Sequence, residues 1–226
     1  MTKITIGIAE DQALFRRGMV AMLNSIPEFE VILDAENGID LLEQLDEKKI
    51  APEIFILDLS MPEMDVIETT EVLKDRNDDA KIIIVSAHDD MDIIGHLYMK
   101  GANAFLDKNA EPEEVEYAIK SVIKRGFYIN SAAKQAIKEA SQHGRSTIRL
   151  ESSSTSLSAR EREIVKLICL EYTNSQIAER LMLQKRTIDN YRMNIMTKTK
   201  CRNIVGLVFF ALQNGIVDIA SLKIRH

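Results

Sequence analysis

The stretch EIFILD (53–58) decides the fold of the first half of this 226-residue chain, because it is a short apolar run that ends in an aspartate. Four similar runs accompany it: KITIGIA (3–9), EVILDAE (30–36), KIIIVSA (81–87) and NAFLD (103–107). Amphipathic stretches with helical spacing separate them, and a fifth helix is predicted from about Pro112 to Lys124. We therefore predict a doubly wound α/β domain with five parallel strands.

Side chains suited to metal and phosphate chemistry follow four of the five predicted strands. Glu10 and Asp11 follow the first, Asp58 closes the third, Ser86 ends the fourth and Lys108 follows the fifth. Ligands of such sheets bind beyond the carboxyl ends of the strands. Converging carboxylates repel one another unless a cation joins them, and Mg²⁺ is the cation that suits a shallow cluster of oxygens. With that cation and a lysine nearby, a carboxylate can act as a nucleophile towards phosphorus.

The two halves of the chain carry opposite charge. Residues 1–128 hold 13 basic and 27 acidic side chains, a net charge of -14, whereas residues 157–226 hold 12 and 6, a net charge of +6. The polar, Ser-rich stretch 141–156 between them is typical of a linker. The asymmetry favours two domains with different partners, the basic one being suited to nucleic acid.

Composition and hydropathy narrow the class of protein further. A hydrophobic fraction of 46% and only two cysteines argue against a disordered chain and a disulfide scaffold. Cys169 and Cys201 form no cluster with histidines, so a zinc site has little support. No apolar run reaches the roughly 18 residues of a membrane span, and the N-terminus turns acidic before a signal-peptide core could form. We expect a cytoplasmic protein without membrane contact.

From Leu157 onwards the spacing predicts a helical domain. Ser158 with Glu161, and Thr173 with Gln176, are capping boxes that begin two helices. A third helix is predicted from about Lys185 to Lys198, with a core face formed by Ile188, Tyr191 and Ile195. The opposite face is polar and carries Arg186, Asp189, Asn190, Met193 and Thr197. Taken alone, this helix could be an ordinary solvated one, but the arrangement fits a helix-turn-helix whose exposed face reads bases.

The motifs AEDQ (9–12), FILDLSMPEMD (55–65), IVSAHDD (84–90) and AFLDKNA (104–110) resemble the receiver domain of bacterial two-component response regulators. The resemblance covers about residues 3–125. It implies that Asp58 is the phosphoacceptor and that Mg²⁺ is held by Glu10, Asp11, Asp58 and the backbone carbonyl of Ser60. It also implies that Ser86 and Lys108 contact the phosphoryl oxygens and that Phe105 is the aromatic residue whose rotation reports phosphorylation.

The stretch 157–203 is similar to the LuxR/FixJ-type DNA-binding domain, from the opening LSARE through NSQIAERL to TIDNYR. Residues 204–216 resemble the dimerisation helix of that domain, which is a four-helix unit. The resemblance implies that Asp189, Asn190 and Met193 face the bases. The residues that it implies as contacts to the DNA backbone are Lys185, Arg186, Thr187, Tyr191, Arg192 and Lys198.

Three positions depart from these family patterns. Glu10 precedes Asp11 where two aspartates are commoner, which we expect to alter metal affinity or the lifetime of the acyl phosphate. Val66 stands where the receiver motif has Gly, so we expect the loop before the third helix to adopt a different backbone, since a β-branched residue disfavours positive φ. Gln184 replaces the usual Ser that caps the recognition helix, a weaker cap by roughly 1 kcal/mol.

We predict three segments: a receiver domain over residues 1–125, a linker over 126–156 that is partly helical near 130–142, and a DNA-binding domain over 157–226. The predicted function is a phosphorylation-controlled transcription regulator that acts as a homodimer. Its predicted partners are promoter DNA and a sensor histidine kinase, with RNA polymerase as a further candidate. The protein is not predicted to be an enzyme, apart from phosphoryl transfer to its own Asp58 and hydrolysis of the product.

Two other hypotheses remain open at this point. The receiver could serve only as a phosphorylation-independent dimerisation or docking module, which Glu10 and Val66 favour and Asp58, Ser86 and Lys108 oppose. A Mg²⁺-dependent phosphohydrolase that uses Asp58 as nucleophile is disfavoured, because position 60 is Ser rather than a second acid two residues along. The basic second half would also have no role in such an enzyme.

Overall fold

The computed structural model describes residues 3–87, 91–130, 157–170 and 172–218. The predicted linker helix near 130–142 lies outside these residues, apart from position 130. Contacts between Cα atoms divide the chain into two compact units, Met1–Asp90 with Lys100–Asn130, and Met91–Met99 with Ser131–His226. Among the described residues, no helix has the length and apolar character needed to cross a bilayer.

The first half contains a parallel sheet of five strands in the order β2-β1-β3-β4-β5. The strands are β1 (Ile4–Ala9), β2 (Phe29–Ala35), β3 (Ile54–Asp58), β4 (Lys81–Ser86) and β5 (Ala104–Asp107). The helices that follow them are α1 (Ala13–Ser25), α2 (Gly38–Lys48), α3 (Val66–Arg76), α4 (Met91–Lys100) and α5 (Pro112–Arg125). The predicted doubly wound α/β fold is confirmed.

Strand β3 is buried along its whole length, as the EIFILD stretch predicts. Its alternate residues Ile54 and Ile56 belong to a hydrophobic cluster with Leu23 of α1 and Ile119 of α5. Removing one such buried aliphatic side chain typically costs about 2–5 kcal/mol of stability. Because all five strands run the same way, their carboxyl ends meet at one edge of this rigid core, and Asp58 closes β3 at that edge.

The loop after β3 has its positive φ at a position other than Val66. Its residue with positive φ is Glu63 (φ 67°), three positions before Val66. Val66 itself begins α3 in helical conformation and is buried at 2% exposure. The side chain of Asp65 caps the helix by accepting a hydrogen bond from the backbone N–H of Glu68. A β-branched residue at position 66 therefore needs no positive φ, and it contributes apolar packing instead.

The second half is helical, with α6 (Ala159–Cys169), α7 (Asn174–Arg180), α8 (Lys185–Thr199) and α9 (Ile204–Gln213). Both predicted capping boxes are confirmed, one beginning α6 and the other α7. Gln184 precedes α8 without a side-chain capping bond, as its weaker capping ability predicts. Helices α6 to α9 share one hydrophobic core, which includes Ile164, Ile177, Ile188 and Leu207.

Both cysteines are free thiols buried in that core. Burial raises the pKa of the Cys169 thiol to about 12 and that of Cys201 to about 11. A thiol with such a pKa carries almost no thiolate at neutral pH and is unreactive. Both side chains therefore serve as core packing.

Candidate functional site

An ion-paired cluster lies at the carboxyl edge of the sheet. Lys108, directly after β5, places its Nζ 2.8 Å from Glu10 Oε2 and 3.1 Å from Asp58 Oδ1. Glu10 and Asp58 are 1% and 2% exposed. Glu10 is fixed further because its Oε1 accepts hydrogen bonds from Lys108 Nζ and from the backbone N–H of Gln12. The structure thus brings together three side chains that lie up to 98 positions apart in the sequence.

One oxygen of Asp58 makes no hydrogen bond within the part of the chain that the structure describes. Its Oδ2 is buried and has no hydrogen-bond partner among the described residues. Glu10, Asp11 and Asp58 each offer an oxygen, and these oxygens lie within 4.8 Å of one another. Asp11 is exposed, so the cluster opens to solvent on its side. A set of hard carboxylate oxygens with an unpaired buried member fits the donor chemistry of Mg²⁺.

The ionisation of the cluster follows from its burial. Burial raises the pKa of the Glu10 carboxyl above its ordinary value, and the charge of Asp58 adds to this, although hydrogen bonds from Lys108 and Gln12 oppose it. Burial also acts to lower the pKa of Lys108, but its hydrogen bonds to Glu10 and Asp58 outweigh that effect and raise it. Lys108 therefore stays charged at neutral pH and supplies the positive charge that these two buried carboxyls share.

Ser86 and Phe105 are held on strands beside this cluster. Ser86 ends β4, is buried, and accepts the backbone N–H of Lys108 on its carbonyl at 2.8 Å. Phe105 is buried on β5, and its carbonyl accepts a hydrogen bond from the Asn130 side chain at 3.0 Å. Ser60 lies in the exposed loop after β3. The contacts predicted for the Ser60 carbonyl and the rotation predicted for Phe105 stay predictions.

Sequence reasoning missed two residues of the first turn of α1. Phe15 places its ring under the lysine, with Lys108 Nζ 5.0 Å from the ring centroid, a cation–π distance. Arg16 donates a hydrogen bond to the backbone carbonyl of Glu10, and its Nε lies 2.7 Å from Asp34 Oδ1. No local pattern indicates these contacts. The only available signal is their position just after the acidic pair.

Burial confirms the predicted division of helix α8 into a core face and an exposed face. Ile188 and Ile195 are buried in the core, and Tyr191 is half-buried against it. The exposed residues are Lys185, Arg186, Asp189, Asn190, Met193, Thr197 and Lys198, whereas Thr187 and Arg192 are half-buried. Met193 is 67% exposed, although contact of such a large apolar side chain with water is unfavourable. Contacts of these residues with DNA stay predictions.

Several of these side chains already have partners within the domain. Asn174, the first residue of α7, donates a hydrogen bond to Asp189 Oδ1 at 2.6 Å and accepts one from Arg192 on its Oδ1. Lys198 Nζ lies 2.7 Å from Oε1 of the buried Glu161. This lysine and the hydrogen bonds that Glu161 makes with Ser158 lower the pKa of Glu161, against a smaller effect of burial. The Asp189 carboxylate is therefore not an isolated negative charge on α8.

These two sites define a DNA-binding response regulator, and comparison with known proteins agrees. Residues 6–120 match the model of the response regulator receiver domain, and residues 155–211 match that of the bacterial regulatory proteins of the luxR family. The chain belongs to the two-component response regulators that carry a LuxR-type DNA-binding domain.

Curated relatives match along nearly their whole length. The transcriptional regulatory protein DegU of Brevibacillus brevis is 29% identical over 229 residues, which cover 96% of each chain. The oxygen regulatory protein NreC of Staphylococcus aureus is 31% identical over 217 residues, which cover 94% of this chain and 99% of NreC.

Solved structures share the fold. RcsB of Salmonella typhimurium matches with a TM-score of 0.58 at 21% identity, covering 93% of this chain and 98% of RcsB. The receiver domain of NarL from Mycobacterium tuberculosis matches with a TM-score of 0.51 at 26% identity, covering 55% of this chain and 99% of that domain.

Proposed function

We propose that this protein is a transcription regulator whose DNA binding is controlled by phosphorylation of Asp58. The observation that carries the proposal is the buried Oδ2 of Asp58, which has no hydrogen-bond partner among the described residues while Oδ1 pairs with Lys108. An unpaired carboxylate oxygen at the edge of a rigid sheet is free to form a bond to phosphorus. A sensor histidine kinase is the proposed phosphodonor.

The residues of this cluster divide the chemistry between them. Oδ2 of Asp58 forms the new bond to phosphorus, and the bond between phosphorus and the kinase histidine nitrogen breaks with its electrons staying on nitrogen. Lys108 neutralises charge on the phosphoryl oxygens, and Ser86, held by the backbone of Lys108, is proposed to donate a hydrogen bond to them. A Mg²⁺ ion held by Glu10, Asp11, Asp58 and the Ser60 carbonyl would screen the same charge.

Phosphorylation also changes what holds Lys108. The lysine now pairs with two buried carboxylates. A phosphoryl group on Asp58 adds about two negative charges and offers new acceptor oxygens, so it competes with Glu10 for the ammonium group. The resulting movement of Lys108 and Ser86 at the ends of β4 and β5, with rotation of Phe105, is the proposed start of the conformational signal.

DNA binding is assigned to α8. Asp189, Asn190 and Met193 are proposed to face the bases. The proposed contacts to phosphates and sugars come from Lys185, Arg186, Thr187, Tyr191, Arg192 and Lys198. A homodimer would place two such helices in major grooves about one helical turn apart. RcsB has been solved as a complex with DNA and, in another structure, as two dimers on two parallel DNAs.

Intact-mass analysis after treatment with phosphoramidate and Mg²⁺ tests the phosphoacceptor. The wild-type chain should gain the mass of one phosphoryl group, and Asp58→Asn should gain none. A wild-type chain that gains no mass contradicts the proposal and leaves the receiver as a phosphorylation-independent docking or dimerisation module. A gain in Asp58→Asn equal to that of the wild type would place the phosphoryl group elsewhere.

A further inference from the structure

Helix α8 carries a hydrogen-bond acceptor and an apolar side chain next to each other on its exposed side. Asp189 and Met193 are four positions apart, so their side chains lie about one turn apart on the same side of the helix. Both are exposed, whereas Ile188 and Ile195 are buried in the core of the domain. The pair therefore lies on a surface that another molecule can contact.

A residue of the neighbouring helix fixes the direction of the Asp189 carboxylate. Asn174 begins α7 and donates a hydrogen bond from Nδ2 to Asp189 Oδ1 at 2.6 Å. The same asparagine accepts a hydrogen bond from Arg192 on its own Oδ1. Because a carboxylate accepts hydrogen bonds on both oxygens, the bond to Asn174 leaves acceptor sites for a ligand. Asp189 is therefore an acceptor that is oriented before a ligand binds.

Three basic side chains share the helix with this carboxylate. Burial lowers the pKa of Arg192, three positions further along α8, and the nearby charge of Asp189 opposes that effect. Lys185 and Arg186 begin the same helix and are exposed. These cations offset the repulsion between Asp189 and DNA phosphates, so the carboxylate can come within hydrogen-bond distance of a base.

The chemistry of a carboxylate restricts the base that Asp189 can recognise. An ionised carboxylate only accepts hydrogen bonds, and the donors in the major groove are the amino groups of cytosine and adenine. The adenine amino group is flanked by two acceptors, its own N7 and the O4 of the paired thymine, whereas that of cytosine is flanked by one, the O6 of guanine. A negative charge is therefore repelled less at cytosine.

Met193 restricts a second base. Its thioether side chain suits apolar contact, and the apolar group that a base presents in the major groove is the methyl of thymine. Four residues of helix span about 6 Å, and successive base pairs are about 3.4 Å apart. The bases that Asp189 and Met193 can contact therefore lie within about two base pairs of each other.

We infer that Asp189 recognises a cytosine and that Met193 contacts the methyl group of a thymine within about two base pairs of it. The inference rests on the proposed function, and it adds the identity of two bases in the bound sequence. A mismatched base pair in a recognition site typically weakens binding about 5- to 150-fold, and removal of one buried methyl group weakens it about four-fold. These are the changes expected at the cytosine and at the thymine methyl.

Selection of DNA from random sequence tests the cytosine. The full chain is used with phosphoramidate and Mg²⁺ at a fixed salt concentration, as wild type, Asp189→Asn and Glu163→Gln. Asparagine keeps an oxygen that accepts the bond from Asn174 but gains an amide donor, so one cytosine of the selected sequence should change to adenine. Glu163→Gln removes an exposed carboxylate of α6 and should select the wild-type sequence.

Synthetic DNA tests both bases with the wild-type chain. Each C·G pair of its selected sequence is replaced in turn by T·A, and one replacement should weaken binding about 5- to 150-fold. Replacing the neighbouring thymine by uracil removes the methyl group alone and should weaken binding about four-fold. The uracil substitution should leave binding by Met193→Ala unchanged, because that variant lacks the apolar contact.

The outcomes separate this inference from the proposed function. If Asp189→Asn retains every cytosine of the wild-type sequence, or if no C·G replacement weakens wild-type binding, recognition of cytosine by Asp189 is refuted and the proposed function stands. A uracil effect that is equal in the wild type and in Met193→Ala, or absent from both, refutes the contact of Met193. A wild-type chain that selects no sequence refutes both the inference and the proposed DNA binding. A change from cytosine to adenine with Asp189→Asn, together with a uracil effect confined to the wild type, supports the inference.

Discussion

Replacing Lys108 by Met removes the ammonium group that two buried carboxylates share. At an effective dielectric constant of about 20, its attraction to Glu10 at 2.8 Å and to Asp58 at 3.1 Å is about 5–6 kcal/mol each. The burial of the ammonium itself offsets a large part of this. Removing one partner of a buried ion pair costs about 3–5 kcal/mol in practice. We expect a loss of that size for Lys108→Met in metal-free buffer at neutral pH.

Hydrogen exchange of peptides that cover β1 and β3 measures this loss in the full chain, because their core amides exchange when the sheet opens. A loss of about 3–5 kcal/mol makes exchange roughly 100 to 5,000 times faster. Lys120→Met is the matched control, since Lys120 also pairs with two glutamates, Glu28 and Glu116, but on the surface. An exposed pair of this kind is worth at most about 1 kcal/mol.

Mg²⁺ should slow exchange more in Lys108→Met than in the wild type, because a cation in the carboxylate cluster replaces the missing charge. Two results would refute the reasoning. One is exchange in Lys108→Met no faster than in Lys120→Met. The other is an effect of Mg²⁺ that is equal in Lys108→Met and in the wild type.

Three further predictions concern other parts of the molecule. Burial raises the pKa of Glu10, so the stability that its protonated form contributes is complete below the ordinary pKa of 4.5 and is lost as pH rises through the folded-state pKa. Glu10→Gln should remove that decline from a profile of stability against pH, and an unchanged profile would contradict the assignment. The pKa of Glu161 is lowered instead, so Glu161→Gln should reduce stability by about 1 kcal/mol at neutral pH, and the difference from the wild type should vanish in acid. Hydrogen exchange of α6 measures this loss, with Glu163→Gln as an exposed control that should change stability little. Asn174→Ala removes the side chain that bridges Asp189 and Arg192, and we expect DNA affinity to fall about three- to ten-fold and base preference to relax in selection from random sequence. An unchanged selected sequence would show that this bridge does not orient the side chains of α8 that contact the bases.

The strands and helices could be predicted from local patterns, because burial of an apolar run and capping of a helix each depend on only a few neighbouring residues. The buried run of β3 and the capping box of Ser158 with Glu161 both correspond to what the structure contains. The site residues could be placed at one edge for a similar reason, since parallel strands bring their carboxyl ends together. Asp58 and Lys108 meet there as the alternation of strands and helices predicts.

Side-chain contacts between two helices that are distant in sequence could not be predicted in this way. Lys198 has the positive charge and the exposed position expected of a residue that binds phosphate. Its Nζ nevertheless pairs with Glu161, which lies 37 positions away on another helix. The bridge from Asn174 to Asp189 likewise joins two helices whose crossing geometry no periodicity specifies. Such pairs depend on the relative placement of helices, which packing of the whole core determines.

The expectation that the loop before α3 adopts a different backbone from that of the family stays a prediction. A motif compares residue types at positions and does not give the backbone angles of the loop. Here Glu63 takes the positive φ, and Val66 is free to begin α3. The sequence alone indicates that one residue of this loop is unusual without indicating which one.

The central claim is that phosphorylation of Asp58 controls DNA binding, and one titration tests it most directly. A DNA site selected from random sequence is titrated with wild type and Asp58→Asn, each with and without phosphoramidate and Mg²⁺, at a fixed salt concentration because phosphate contacts make affinity salt-dependent. We predict that the phosphodonor tightens binding by the wild type and leaves binding by Asp58→Asn unchanged. Equal affinities in all four titrations, with phosphorylation of the wild type verified by mass, would contradict the claim.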